Sequence, residues 1–231
     1  MKGLQLPLGV QLSDAASFES YHAGPNREIV EALRALAADG GPPLLFLFGP
    51  PASGKTHLLQ ALTRAAARAR SCAYLPLAQF GGDAADALEG FDRADLVCVD
   101  DVDALPSDGA LALLRLLDQV RAHGGRCVCA AAAPPERLGI ALPDLRTRLS
   151  AAAIYGLKPL GDADREQLLL DRARARGLDL PTDAARALLA RLPRDAGSLV
   201  AAIERLDRDL LSAQRRLTLS FVQQWLKDNA A

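Results

Sequence analysis

Five consecutive apolar residues, Leu44 to Phe48, are bounded by Pro43 and Gly49 and run straight into Gly49-Pro50-Pro51-Ala52-Ser53-Gly54-Lys55-Thr56. A run of that length between Pro and Gly reads as a strand buried on both faces, which requires a parallel sheet covered by helices. The octapeptide matches G-x-x-x-x-G-K-[ST], between a predicted strand and a predicted helix over 54–69. Small residues let the backbone curl so that its amides face a phosphate, and the helix start adds positive dipole. Lys55 is the candidate for the terminal phosphates and Thr56 for Mg²⁺, with Gly49, Pro50, Pro51, Ala52, Ser53, Gly54 and His57 completing the cradle. With 18 glycines and four lysines among 231 residues, chance would produce this match roughly one or two times in a thousand such chains. A nucleotide site is the reading.

The rest of the pattern agrees with that start. Apolar spacing at Ile29, Val30, Leu33, Leu36 and Ala37 predicts an amphipathic helix over 26–39, stopped by Gly40-Gly41. Strands are predicted at 72–77, 95–99, 126–131 and 153–157, alternating with helices at 108–123 and 143–149. That alternation predicts an α/β domain over 21–158. After Lys158-Pro159 the texture is helical only, with segments at 162–176, 182–192, 196–214 and 220–227 and Asp162, Thr182 and Ser220 as expected N-caps. A small all-helical domain over 159–231 follows. Residues 1–9 lack a helical period, and residues 1–20 are expected to form an extended arm.

The strand Leu96-Val97-Cys98-Val99 ends in Asp100 and Asp101. Carboxylates at a strand end are common turn residues, but downstream of a P-loop they acquire a role. Asp100 is the candidate for the Mg²⁺ shell and Asp101 for orienting an attacking water.

Composition narrows the function classes. Half the residues are apolar and 24% charged, which excludes a disordered chain. Twenty-seven basic against 28 acidic side chains argue against a protein that grips duplex nucleic acid through phosphates. Contact with DNA through another protein stays open. Cys72, Cys98, Cys127 and Cys129 form no C-x-x-C pairs and read as buried free thiols in a reducing compartment. No apolar run approaches a membrane span, and the N-terminus lacks the pattern of a signal peptide. A cytoplasmic protein is expected.

The P-loop, the two-carboxylate strand end, Arg148 on a short helix (Leu145-Arg146-Thr147-Arg148-Leu149) and a helical C-terminal domain together resemble the AAA+ ATPases. Phe18-Glu19-Ser20-Tyr21 through Gly24-Pro25-Asn26, Ala132-Ala133-Pro134-Pro135, Leu142-Pro143-Asp144-Leu145 and Leu217-Thr218-Leu219-Ser220-Phe221-Val222 follow the order of the DnaA-like branch of that family. The resemblance implies an AAA+ core with a parallel sheet and a helical lid, holding ADP or ATP with Mg²⁺. It also implies that Arg148 is an arginine finger presented in trans. The chain is expected to end at the lid, without the DNA-binding domain of the initiator. Its Gln5-Leu6-Pro7-Leu8 is similar to peptides that dock on the DNA polymerase III sliding clamp (beta). Within the DnaA-like family this combination resembles the regulators that inactivate the DnaA initiator. The expected partners are therefore DnaA, the clamp and, through the clamp, DNA, with a possible homo-oligomer and a replisome-associated location.

Two departures bear on activity. Cys129-Ala130-Ala131-Ala132 offers no polar side chain where the family places a sensor of the γ-phosphate, and the lid sensor position falls on Gly197, with Arg194 the alternative if the register differs. Both favour a protein that holds ADP and has at most weak ATPase activity of its own. A loader or remodeller of another replication protein, and a passive adaptor, are the alternative functions. His57 is expected to pack at the helix start, His22 to border the adenine, His123 to sit at a helix C-terminus, Arg146 to be solvated or an interface contact, and Trp225 to lie in the lid core.

Overall fold

The computed structural model describes residues 3–5, 10–13, 16–106, 108–213 and 216–229. It divides into two compact units, Met1–Lys158 and Pro159–Ala231. In the first, β1 (Gly3–Gln5), β2 (Leu44–Phe48), β3 (Ser71–Pro76), β4 (Leu96–Asp100), β5 (Arg126–Ala131) and β6 (Ala153–Gly156) form one sheet in the order β1-β3-β4-β5-β2-β6. Every pairing is parallel. Five of these strands are the expected ones, and the short edge strand β1 is an addition. Gly3, Leu4 and Gln5 lie opposite Ser71, Cys72 and Ala73. Such local pairing at a sheet edge carries no periodicity signal in three residues.

Strands β3 and β4 are buried along their whole length, as a sheet covered on both faces requires. One face packs on α1 (Arg27–Ala37) and α2 (Lys55–Ala66) through Leu33, Leu36, Leu58 and Leu62. The other packs on α3 (Gly109–Ala122) and α4 (Pro143–Ser150) through Leu113, Leu117, Leu145 and Leu149. The stretch expected as an arm joins this unit twice, through β1 and again from Val10 onward. Val10 and Phe18 are buried in the α1–α2 layer, and Ala16 is buried as well. All four cysteines are free and buried, and burial pushes the Cys129 thiol up to about 12.

Helix α1 stops where expected, with the Gly40 amide on the Ala35 carbonyl at 2.8 Å. Asp39, left-handed at φ 67°, then accepts from both Arg70 and Arg126. His123 closes α3 with Nδ1 2.9 Å from the Gln119 carbonyl.

The second unit comprises α5 (Asp162–Ala175), α6 (Thr182–Leu189), α7 (Ala196–Ala213) and α8 (Leu219–Asp228) around Leu169, Leu188, Leu199, Leu206 and Val222. Trp225 belongs to this core, and its indole donates to Asp209 at 2.6 Å. The expected caps need correction. Asp162 and Thr182 are the first helical residues after Gly161 and Pro181, and Asp164 reaches back to the Gly161 amide at 3.4 Å. Thr218 rather than Ser220 caps α8, accepting the Phe221 amide at 3.3 Å. In each case the oxygen must reach an amide about three residues on, and the start of the helix, not residue type alone, selects the cap. Among the described residues no helix is long and apolar enough to cross a membrane.

Asn26, 1% exposed, joins the segment before α1 to the end of β6. Its Nδ2 donates to the Lys158 carbonyl at 2.9 Å and its Oδ1 accepts the Lys158 amide at 2.8 Å. Asn26→Ala should therefore cost about 1–2 kcal/mol, the loss of two hydrogen bonds partly replaced by water. A lowered midpoint in urea unfolding is the measurement.

Candidate functional site

The P-loop follows the last residue of β2, which is flanked by β5 and β6. The Gly49 amide donates to the Ala131 carbonyl of β5 at 3.3 Å, which ties the loop's entry to the sheet. Ala52 and Gly54 take left-handed backbone conformations, at φ 57° and 96°. At Gly54 a side chain is excluded twice over, by the backbone and by Tyr21, whose Cε2 would lie 2.7 Å from a Cβ. A second close approach is at Gly156, where a Cβ would come within 2.6 Å of the Phe48 ring at the end of β2.

Helix α2 begins at Lys55. Its first closed backbone bond runs from the Leu58 amide to the Gly54 carbonyl at 3.0 Å, so the preceding amides emerge from the helix end without an intrahelical acceptor. That is the geometry that cradles an anion. The Lys55 ammonium donates to the carbonyls of Gly49 (2.8 Å) and Pro50 (3.1 Å), which fold it over the loop. Thr56 is exposed on the first turn. Ser53 Oγ is buried without a hydrogen-bond partner among the described residues. An unsatisfied hydroxyl inside a loop of this shape fits a phosphate oxygen.

The wall beside the loop comes from the segment before α1. Tyr21 lies 5.6 Å from the His57 ring, and burial pushes its phenol up to about 12. His57 is expected at the helix start and lies there, with Nε2 2.9 Å from the Ser17 carbonyl and 3.3 Å from Ser20 Oγ.

Across β5, at the end of β4, Asp100 is 1% exposed. It accepts the Tyr74 hydroxyl at 3.0 Å and the Asp101 amide at 3.1 Å. Asp101 takes a left-handed φ of 56°. Burial raises its pKa, as do the carboxylates of Asp100 and Asp103, while Lys55 opposes them. Two carboxylates against one ammonium act on Asp101, so negative charge predominates there, which a divalent cation would offset. The donor set of Thr56 and Asp100, hydroxyl and carboxylate oxygens, suits Mg²⁺. Asp103 also accepts the Ala132 amide at 3.0 Å, at the strand end where Ala131 and Ala132 offer no polar side chain.

Arg148 lies elsewhere. It shares a cavity of about 250 Å³ with Leu44, Cys127 and Ala153, the beginnings of β2, β5 and β6. Its side chain is 31% exposed and its Nη1 pairs with Asp118 of α3 at 2.6 Å, a partner that spacing on α4 does not reveal. Arg146 is exposed. Of the arm residues, Gln5 is described through its backbone in β1, and Leu6, Pro7 and Leu8 lie outside the described residues. In the helical unit, Gly197 sits in the first turn of α7 and Arg194 lies exposed before it, its carbonyl 3.4 Å from Arg165 Nη1.

Residues 162–226 match the family model described as "Hda, lid domain". The chain superposes on domain III of the Thermotoga maritima replication initiation protein DnaA with a TM-score of 0.83 at 21% identity, covering 95% of this chain and 98% of that one. AMPPCP-bound DnaA from Aquifex aeolicus matches with a TM-score of 0.73 at 19% identity, over 85% of this chain and 66% of that one. The Thermotoga maritima RuvB Holliday junction branch migration motor matches at 0.65 and 18%, over 87% and 67%. The architecture is thus a DnaA-like AAA+ fold, with a C-terminal unit that matches the Hda lid.

Replacing Lys55 by Ala should weaken ADP binding about a hundredfold, the worth of a charge-assisted contact to phosphate. Calorimetric titration checks this, and undiminished affinity would remove the P-loop from nucleotide binding.

Proposed function

We propose that this protein is an ADP-holding negative regulator of replication initiation. It docks on the DNA-loaded sliding clamp through Gln5, Leu6, Pro7 and Leu8 and places Arg148 beside ATP held by DnaA. The observation that carries this reading is the position of Arg148. Because β2 is parallel to its neighbours, its first residue, Leu44, and its last, Phe48, lie at opposite ends of the sheet, roughly 13 Å apart. Arg148 lines the cavity at the Leu44 end, and the P-loop follows Phe48. A guanidinium there has no route to its own chain's γ-phosphate and is suited to a neighbour's. The match of residues 162–226 to the Hda lid supports the choice of DnaA as that neighbour.

Chemically, the finger places a fixed positive charge where charge develops on the transferring phosphoryl group, worth about 10³–10⁵ in rate in other systems. Asp118 holds Arg148 meanwhile. A partly exposed pair of this kind contributes only about 0.2–1 kcal/mol, so a phosphate displaces it at little cost. In the protein's own site, Lys55 and the loop amides bind phosphates, while Thr56 and Asp100 would hold Mg²⁺, which neutralises phosphate charge when bound. The alanines ending β5 and the engagement of the Ala132 amide by Asp103 favour ADP retention over turnover. Asp100 and Asp101 also suit a second reading, an ATPase loader of another replication protein.

A single-turnover assay with labelled ATP preloaded on DnaA and clamp-loaded DNA separates these readings. Arg148→Ala should keep ADP and clamp binding but lose stimulated hydrolysis by about 10³-fold or more. Arg148→Lys should fail nearly as badly, since an ammonium lacks the planar fork. Retained stimulation by the Ala variant would defeat the finger.

Joint replacement of Gln5 and Leu6 by Ala should abolish clamp pull-down and leave metal-free ADP affinity intact. Undiminished pull-down would take the arm out of the mechanism.

A further inference from the structure

A line of hydrogen-bonded polar groups, buried from Gln60 onward, crosses the first unit from the exposed Ser13 of its N-terminal segment to the end of β4. The Ser13 amide donates to Gln60 Oε1 at 3.0 Å, Gln60 Nε2 donates to the Tyr74 hydroxyl at 3.5 Å, and that hydroxyl donates to Asp100 Oδ2 at 3.0 Å. Gln60 is 9% exposed and Tyr74 and Asp100 are 1% exposed. Every donor in the line points toward the carboxylate, so each bond polarises the next in the same sense. Leu at 60 and Phe at 74 would fill this space without the desolvation that amide and hydroxyl incur. Packing alone does not account for either polar group.

The two ends of the line are distinct in character. At one end both oxygens of Asp100 are engaged, Oδ2 by Tyr74 and Oδ1 by the Asp101 amide, which fixes the carboxylate's rotamer. At the other end, Ser13 belongs to a segment seated along α2. Val10 is buried there, and Arg64 Nη2 donates to the Leu12 carbonyl at 3.1 Å. Gln60 and Arg64 project from the same helix that opens with Lys55 and Thr56. The segment they hold lies within the stretch 1–20 expected as an arm, a few residues after Gln5-Leu6-Pro7-Leu8.

We propose that Tyr74 is a positioning residue for Asp100, and that the line from Ser13 through Gln60 and Tyr74 links the seating of the N-terminal segment to the binding of a Mg²⁺–nucleotide. The proposal rests on the reading of Asp100 as the acid on the metal side of the site. A carboxylate already held in one rotamer loses less freedom when it engages a cation or the cation's water. With Phe at 74 it regains that freedom and lacks one of its two fixed donors. Linkage between binding events is reciprocal. If a seated segment favours Mg²⁺–nucleotide, then Mg²⁺–nucleotide favours a seated segment by the same factor, and a partner that pulls on the arm weakens the nucleotide's hold on its cation.

The test uses the full chain, with ADP titrated in Mg²⁺ and in chelator and amide hydrogen exchange read at Ser13. Tyr74→Phe should reduce the Mg²⁺-dependent gain in ADP affinity about tenfold and leave metal-free ADP affinity unchanged, a split that general damage to the fold would not produce. In the wild type, Mg²⁺–ADP should slow exchange at Ser13 about tenfold. In Gln60→Leu that slowing should vanish. An unaltered Mg²⁺-dependent gain in Tyr74→Phe, or exchange at Ser13 indifferent to Mg²⁺–ADP in the wild type, would overturn the linkage alone. Should Tyr74→Phe fail to fold, the wild-type exchange measurement decides by itself. Wild-type protein that binds no ADP in either condition would overturn the nucleotide-site reading and the linkage with it.

Discussion

Because all six strands run in one direction, the two ends of the sheet differ chemically, and the rest of the first unit follows from that polarity. The ends where strands finish hand the chain to a helix start and to a pair of carboxylates, Lys55 after β2 and Asp100 at the close of β4. The ends where strands begin receive the chain from helices and turns, and there Asp39 gathers Arg70 and Arg126, while Arg148 meets Asp118. Open α/β sheets bind ligands beyond the carboxyl ends of their strands. A cation at the opposite end therefore belongs to a second surface.

The carboxyl end is shaped by close backbone approaches as much as by reactive side chains. Tyr21 occupies the space that a side chain at Gly54 would need, and the Phe48 ring covers Gly156. Asn26 keeps the segment that carries Tyr21 in register with the end of β6. These contacts bring the residues before α1, the P-loop and the last strand into one corner. The polar line through Tyr74 runs within the α1–α2 layer and ends at Asp100, one strand away from β2 across β5.

Much of this was legible in the amino-acid order because it depends on local pattern. The apolar run before Gly49, the Gly-Lys-Thr at the start of α2 and the helical period after Pro159 are each contained within a few residues. Asp100 and Asp101 were legible for the same reason, as charges closing an apolar strand. The partners of those residues were not. Gln60 and Tyr74 are 14 residues apart, and Tyr74 and Asp100 are 26 apart. Their pairing comes from strand order, which places β3 beside β4 beneath α2. Asp118 reads as one more polar residue on an amphipathic helix until α4 is laid against α3. A polar Gln on a buried helical face and a Tyr inside a strand were the available signals, since each needs a partner when buried. β1 is too short for its alternation to be told from chance.

The distribution of sulfur has a consequence of its own. All four cysteines lie in β3, β4 and β5, at the centre of the first unit, and the helical unit contains none. Burial keeps them protonated and away from solvent, so they act as small apolar filler. Cys72, Cys98 and Cys129 are fully buried, and a thiol reagent can reach those three only when the sheet itself opens, whatever the lid is doing, while Cys127 borders the cavity that holds Arg148. In those three the protein therefore carries a built-in clock for the opening of one of its two units, silent while that unit is folded and deaf to the other.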